Sequence, residues 1–329
     1  MKPGAGTKIA RILIYFLCIV LTVLSVLPFI IMFVNSTRST PQIQQNALSF
    51  RPSDYLMDNY RHMMGYVEVP VLDARGNEIP SDQRLYNAHG EPVLDANGEY
   101  VFRPLMQYER IIERAFNPYV GFKNSLLISI GVTILALYFS SLTAYANVAY
   151  QWRFKNALFA FILFVMMIPT QVTVIGYFQF VFRMGGTNAY WPLILPAIAS
   201  PTLVFFMRQY MIASLPLDLV EAARIDGAKE FSTFNRIVLP LLKPAVATQA
   251  IFVFVGSWNN LFLPSILLTS NEKRTMPVMV QLLRGDIYDT VLGAQYLGLA
   301  MTILPLFVVY FIFSKYIIAG VAIGGVKDE

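Results

Sequence analysis

SLPLDLVEAARIDGAKEFSTFNRIVLPLLKP, residues 214–244, lies between two long apolar runs and reads as two short helices joined at a glycine. Pro216 suits a first helical turn, Asp218 and Glu221 favour the positive end of the helix dipole, and Gly227 supplies the stop. A second segment, 228–238, is expected to end before Leu239-Pro240. Ala222 and Ala223 leave a face with little side-chain bulk, so another protein surface can approach the backbone there. Glu221 and Arg224 are spaced to meet on one helix face, and Asp226 sits just before the bend. Taken alone, the same stretch also suits an amphipathic connector lying at a membrane surface.

Outward from this loop the chain turns apolar. A bilayer core of about 30 Å needs roughly 20 apolar residues in helix to cross it. Six stretches meet that length: 12–34, 126–149, 157–182, 189–213, 245–268 and 297–319. None contains Asp or Glu; Arg208 stands near the end of the fourth and Lys315 near the end of the sixth. The expected architecture is therefore an all-α polytopic membrane protein with six transmembrane helices. Composition agrees: 56% of the 329 residues are hydrophobic, 14% are charged and the mean hydropathy is +0.54, which excludes an ordinary soluble globule. With 25 Phe and 18 Tyr the chain is not a disordered one, and its single cysteine, Cys18, allows neither an intrachain disulfide nor a cysteine-based zinc site. The first apolar stretch follows Lys2, Lys8 and Arg11 but is too long for a signal-peptide core and lacks a small-residue cleavage site, so it reads as a retained span.

Basic residues set the expected orientation. With the N-terminus in the cytoplasm, the short inner segments hold twelve Lys and Arg, among them Arg153, Lys155, Arg208, Arg224, Lys229, Arg236 and Lys243. The short outer segments hold five: Lys123, Arg183, Lys273, Arg274 and Arg284. This bias places both termini in the cytoplasm. Three regions follow: 1–35 with the first span, an outer insertion at 36–119, and a core of five spans at 120–329 containing the loop 214–244. The long segment 36–120 has eight basic and eleven acidic residues, so the net charge of +5 is a basic membrane core joined to a mildly acidic outer segment. It is not the footprint of a nucleic-acid binder.

Within the insertion PVLDARG, residues 70–76, returns as PVLDANG, residues 92–98. Each copy suggests a β-hairpin with a tight turn, and the whole reads as a small decorating β-domain. Both histidines, His62 and His89, fall in this segment, so neither serves as an intramembrane proton relay, and their spacing does not suit a metal. No HExxH, GxSxG or phosphate-binding GxxxxGK[ST] pattern occurs. No catalytic residue, metal or bound cofactor is therefore expected, and the spans lack the carboxylates that ion-driven carriers keep on their pathways.

The spacing of Glu221-Ala222-Ala223, Asp226-Gly227-Ala228, Phe234, Ile237, Leu239-Pro240 and Pro244 resembles the EAA loop of the membrane subunits of binding-protein-dependent ABC importers. The resemblance extends to the sugar-permease branch, of maltose type. It is carried by Asn59-Tyr60, Asn124-Ser125-Leu126, Ala144-Tyr145-Ala146, Met167-Ile168-Pro169, Arg208-Gln209, Trp258-Asn259, and a glycine-rich tail with Gly320 and residues 324–327. It covers most of 120–329 and, loosely, 1–60; residues 66–103 match no pattern of the family, and Asp328-Glu329 depart from its ending.

The resemblance implies the type I importer permease fold. It implies that Glu221, Ala222, Ala223, Asp226, Gly227 and Ala228 form a coupling helix docking into a groove of an ATPase. ATP and Mg would sit on two such ATPase subunits, not on this chain. The remaining implied partners are a second homologous permease, an extracytoplasmic solute-binding protein, a sugar or oligosaccharide substrate and the inner-membrane bilayer. Trp258, Asn259 and Asn260 combine an aromatic face with amides in an otherwise apolar span. They suit either sugar contact or hydrogen bonds to neighbouring helices. Importers of this kind for non-sugar solutes, and a secondary carrier driven by an ion gradient, are the alternatives; the latter is disfavoured by the loop and by the missing carboxylates.

Overall fold

The computed structural model describes residues 5–85, 92–94, 99–110, 116–283 and 291–325. His89, the second copy's turn, Arg284 and the chain end after residue 325 lie outside them. The chain divides into two compact units, 1–117 with 280–301, and 118–279 with 302–329.

The first unit opens with α1 (Ala5–Asn35), whose apolar side chains, from Ile12 to Phe33, lie open along nearly its whole length. Two short helices, α2 (Thr40–Gln45) and α3 (Leu56–Met63), follow it. The turn between α1 and α2 is held by one buried cation. Arg38 donates to Asn35 Oδ1 (2.9 Å), Asn46 O (2.7 Å) and Gln42 O (2.7 Å), placing its charge beside two carbonyls at the C-terminal end of α2. Buried Asn59 of α3 donates to Ser36 O (2.9 Å) and Arg38 O (3.0 Å). Gly293 packs so closely on this knot that a Cβ would stand 2.3 Å from the Asn59 amide nitrogen.

The described residues between 66 and 110 form four short strands, β1 (Tyr66–Pro70), β2 (Pro80–Arg84), β3 (Phe102–Pro104) and β4 (Met106–Arg110). β1 pairs antiparallel with β4, from Tyr66 opposite Arg110 to Pro70 opposite Met106, and β2 pairs antiparallel with β3. In the first repeat copy Asp73 Oδ1 accepts the backbone N–H groups of Arg75 (2.8 Å) and Asn77 (2.9 Å), and Gly76 takes φ +85°. Those bonds, the Asn77 amide first, hold the Asp73 carboxyl below its ordinary range. The repeat makes a pattern that sequence reading did not foresee. Val71, Ile79 and Leu105 close a ring of three backbone hydrogen bonds, and Leu85, Val93 and Val101 close a second one.

The second unit is built on α4 (Pro118–Ala149) and continues with α5 (Lys155–Met166) and α6 (Thr170–Arg183). Next come α7 (Trp191–Ile194), a 3-10 turn (Leu195–Ile198) and α8 (Pro201–Ser214). The loop supplies α9 (Leu217–Ile225), α10 (Glu230–Thr233), a π turn (Phe234–Val238) and α11 (Leu239–Leu241). α12 (Lys243–Trp258) and α13 (Phe262–Leu267) follow. The chain then forms α14 (Met276–Leu282) and α15 (Leu292–Gly325). α4 packs against α8 and α12. Its buried face is small and polar, with Ser125, Ser129, Ser140 and Ser141, and such residues let membrane helices approach closely.

Among the described residues four helices are long and apolar enough to cross a membrane: Arg11–Asn35, Pro118–Ala149, Trp191–Ser214 and Leu292–Ile312. A fifth candidate is the pair Glu230–Leu241 and Lys243–Trp258, bent by 80°. Two stretches expected to be continuous are broken. The run 157–182 divides into α5 and α6 at Pro169, which lacks an N–H and disfavours helical geometry in the residue before it. The run 245–268 divides after Trp258 into α12 and α13.

Candidate functional site

The loop folds as a capped helix followed by a clamp. α9 starts after Pro216 and ends at Asp226, with Gly227 at φ +76°. Ala228 N–H donates to Ala223 O (2.9 Å) and Gly227 N–H to Arg224 O (3.0 Å), the paired bonds of a Schellman motif. No atom lies within 4 Å of where a Gly227 Cβ would be, so the glycine is required by its backbone angle and not by space. Helix periodicity then sorts the side chains. Val220 and Ala223 are buried, while Glu221, Ala222, Asp226 and Ile225 (86% exposed) face outward. Of the six residues expected to couple, Glu221, Ala222, Asp226 and Gly227 lie on the open surface, Ala223 anchors the helix, and Ala228 is half-buried.

Arg224 does not meet Glu221. Its Nε donates instead to Glu230 Oε1 at 2.8 Å, an ion pair across the Gly227 bend. Glu230 Oε2 accepts the hydroxyls of Tyr145 (3.2 Å) and Tyr150, and the Arg224 guanidinium lies 4.9 Å from the Tyr150 ring centre. Burial pushes the Glu230 carboxyl up. The Tyr150 hydroxyl and then the Arg224 hydrogen bond and charge outweigh that push and hold it below its ordinary range. The same pair makes Arg224 more basic. Burial first, and then the bond to Glu230, raises the Tyr150 phenol.

Beneath the clamp lies an apolar plug. Phe234, fully buried, sits between Tyr145 (centroids 5.5 Å) and Tyr138 (5.8 Å), and the Tyr138 hydroxyl donates to Asn235 Oδ1 (3.2 Å). Phe234, Val238, Leu242 and Val220 from the loop share one core with Tyr145, Met207 and Met211. The loop is thus packed onto α4 and α8. Its second segment does not stop before Leu239-Pro240 as expected. The helix widens to a π turn at Phe234–Val238 and runs on through Pro240, whose missing N–H and ring an ordinary α-turn accommodates poorly. Glu230 and Tyr150 were not read as site residues from sequence, because they lie 80 positions apart and only the fold joins them. Tyr145 stood only in the Ala144-Tyr145-Ala146 pattern.

Farther along the chain, Trp258 is 1% exposed and stacks between Phe254 (5.9 Å) and Phe122 (6.1 Å). Its indole N–H donates to Thr302 O (3.1 Å). Asn259 is exposed and Asn260 half-buried, and neither side chain bonds to another group among the described residues. A second polar cluster ties α4 to the stretch before α14. Asn124 donates to Glu272 O (2.9 Å) and Arg274 O (3.0 Å) and accepts the Tyr190 hydroxyl (2.8 Å), while Ser125 accepts Met276 N–H (2.8 Å).

Apolar helices long enough to cross a membrane, with the exposed helix α9 locked onto their core, define the class: a polytopic helical membrane protein. Residues 125–323 match the family of binding-protein-dependent transport system inner membrane components, and the chain belongs to that family. It is similar to the arabinooligosaccharides transport system permease protein AraQ of Halalkalibacterium halodurans, at 40% identity over 63% of this chain and 73% of that protein. It is also similar to the trehalose/maltose transport system permease protein MalG of Thermococcus litoralis, at 32% identity over 69% of this chain and 84% of that one. The lactose transport system permease protein LacG of Rhizobium radiobacter is 27% identical over 92% of each chain. A solved bacterial ABC transporter involved in the import of the acidic polysaccharide alginate shares the fold, with a TM-score of 0.67, 19% identity, and cover of 96% of this chain and 99% of that one.

Proposed function

We propose that this chain forms half of the translocation pathway of an ATP-driven importer for a sugar or oligosaccharide. The relatives that carry sugar names support the substrate class. One observation carries the mechanism: α9 presents Glu221, Ala222 and Ile225 outward while Gly227 and the Glu230 clamp fix it to the body. A helix held in this way transmits force as a rigid lever. ATPase subunits, which would carry ATP and Mg, close on nucleotide and so bind one orientation of the lever better than the other, and that difference shifts the core between inward- and outward-facing states. A second permease subunit completes the pathway, and an extracytoplasmic binding protein delivers the solute. On this reading the chain crosses the inner membrane six times with both termini in the cytoplasm. The broken runs 157–182 and 245–268 then count as spans, and 36–119 stands outside. Asn259 and Asn260, whose amides bond to no described residue, are the pathway candidates; Trp258 anchors them from behind.

Reconstitution with the partner subunits tests the lever. Glu221→Lys leaves the chain folded and inserted but lowers ATP-driven uptake by at least about tenfold, the equivalent of about 1.4 kcal/mol of docking free energy, because it reverses the charge on the exposed face of α9. Gly227→Pro uncouples ATP hydrolysis from uptake in the same assay. Full uptake by both variants, with normal amounts of chain in the membrane, would sink the reading.

A further inference from the structure

At the foot of the lever, where α4 and α8 end and α5 begins, lies a cavity of about 230 Å³ lined by Asn147, Lys155, Arg208, Met211, Leu215 and Leu217 among others. No acidic residue lines it among the described residues. Arg208 Cζ stands over the Phe159 ring, 3.8 Å from its centre, and its Nε donates to Asn147 Oδ1 (2.6 Å). Asn147, itself buried, turns its amide nitrogen to Lys155 O (3.0 Å). One hydrogen bond, to an asparagine that is itself tied to Lys155 O, and a ring contact therefore hold the guanidinium, yet its two terminal nitrogens bond to nothing among the described residues. The Lys155 ammonium is equally unengaged. Two cations without a carboxylate, over an apolar floor, form a pocket for an anion that carries hydrocarbon.

We infer that this cavity binds the phosphate headgroup of an anionic phospholipid of the inner leaflet, with its acyl chains along α5 and α8. Three features favour a lipid over a protein carboxylate. The cavity sits where three helices of the membrane core terminate. Exposed Phe161 and Phe164 of α5 and Phe206 of α8 continue the apolar surface away from it. Basic pockets between helices on the cytoplasmic side are also the usual seat of such headgroups. Because Leu217 opens α9, a bound lipid would brace the coupling helix at its root. The leaflet assignment rests on the orientation proposed above; the anion pocket does not.

The test uses the full chain with its partner subunits, purified in a non-ionic detergent and titrated with dioleoylphosphatidylglycerol, dioleoylphosphatidylcholine or sodium phosphate, with retention read by native mass spectrometry. Phosphatidylglycerol is retained preferentially. Lys155→Ala weakens retention about fivefold and Lys155→Ala with Arg208→Gln about twenty-five-fold, each charge contributing about 1 kcal/mol at a membrane surface. The glutamine keeps a donor for Asn147, so unchanged thermal unfolding separates loss of the site from loss of the fold. Equal retention of both lipids, unchanged retention by the double variant, or full displacement by inorganic phosphate would overturn the proposal. So would loss of ATPase co-purification in the double variant without loss of lipid. In intact membranes a Gln151→Cys, Cys18→Ser chain should react with an impermeant maleimide only from the cytoplasmic side. Labelling from outside, with lipid retention intact, would overturn the leaflet assignment and the orientation while leaving the anion pocket standing.

Discussion

Gly227 and Glu230 carry the most information at the scale of single residues. At φ +76°, with open space where a Cβ would go, Gly227→Ala meets a purely conformational cost of about 1 kcal/mol. Gly227→Asn costs less, since asparagine tolerates the left-handed region. Thermal unfolding of the detergent-solubilised chain should rank glycine above asparagine above alanine; equal stability of all three would remove the Schellman turn from the account. Glu230 sets a pH dependence. Its folded carboxyl lies below the ordinary value of 4.5, so its contribution to stability is present above that value and is lost as pH falls through the lower, folded value. Wild type should therefore unfold at a higher temperature than Glu230→Gln at neutral pH, and the gap should close in acid below pH 4.5. A gap that persists unchanged there would mean that the clamp does not depend on charge.

At the scale of elements, the polar clusters explain why particular residue types stand at the ends of apolar helices. Asn124 and Ser125 open the apolar part of α4; Asn124 pairs two carbonyls of the stretch before α14, and Ser125 pairs the buried first N–H of α14. Asn124→Leu strands two carbonyls and the Tyr190 hydroxyl, at about 1–3 kcal/mol for a buried group left without its partner. The stretch around Lys273 and Arg274 should then be cut faster by trypsin, and limited proteolysis reads this directly. Unaltered cleavage would show that the turn is held from elsewhere. Such positions are hard to read from a sequence. A polar residue in an apolar run announces that it has a partner, but the partner is about 150 residues away and is a backbone carbonyl, which has no signature of its own.

For the whole molecule, the clamp implies that the loop and the C-terminal end of α4 move as one body. Tyr150→Cys with Glu230→Cys, bridged by a short bifunctional thiol reagent in a Cys18→Ser chain, replaces the native contact with a covalent one. ATP-driven uptake by the reconstituted importer should survive the bridge. An uptake that stops on cross-linking and returns on cleavage of the reagent would show that transport requires a hinge between α4 and the loop.

The amino-acid sequence by itself determined the membrane class and the position of the loop 214–244. Both are written in local quantities, namely the length of apolar runs and the spacing of Glu221, Gly227 and Pro240. Hydropathy also located the apolar stretches, but it could not decide their continuity, because it sums composition and does not register that Pro169 ends one helix before another begins. The tertiary structure alone decided that Arg224 turns from Glu221 to Glu230, that Trp258 faces the interior, and that Arg208 and Lys155 share a cavity. These are contacts between groups distant in the chain. Each is chosen by which partner the packing of α4, α5, α8 and the loop brings within reach, and that competition is not encoded in any one segment.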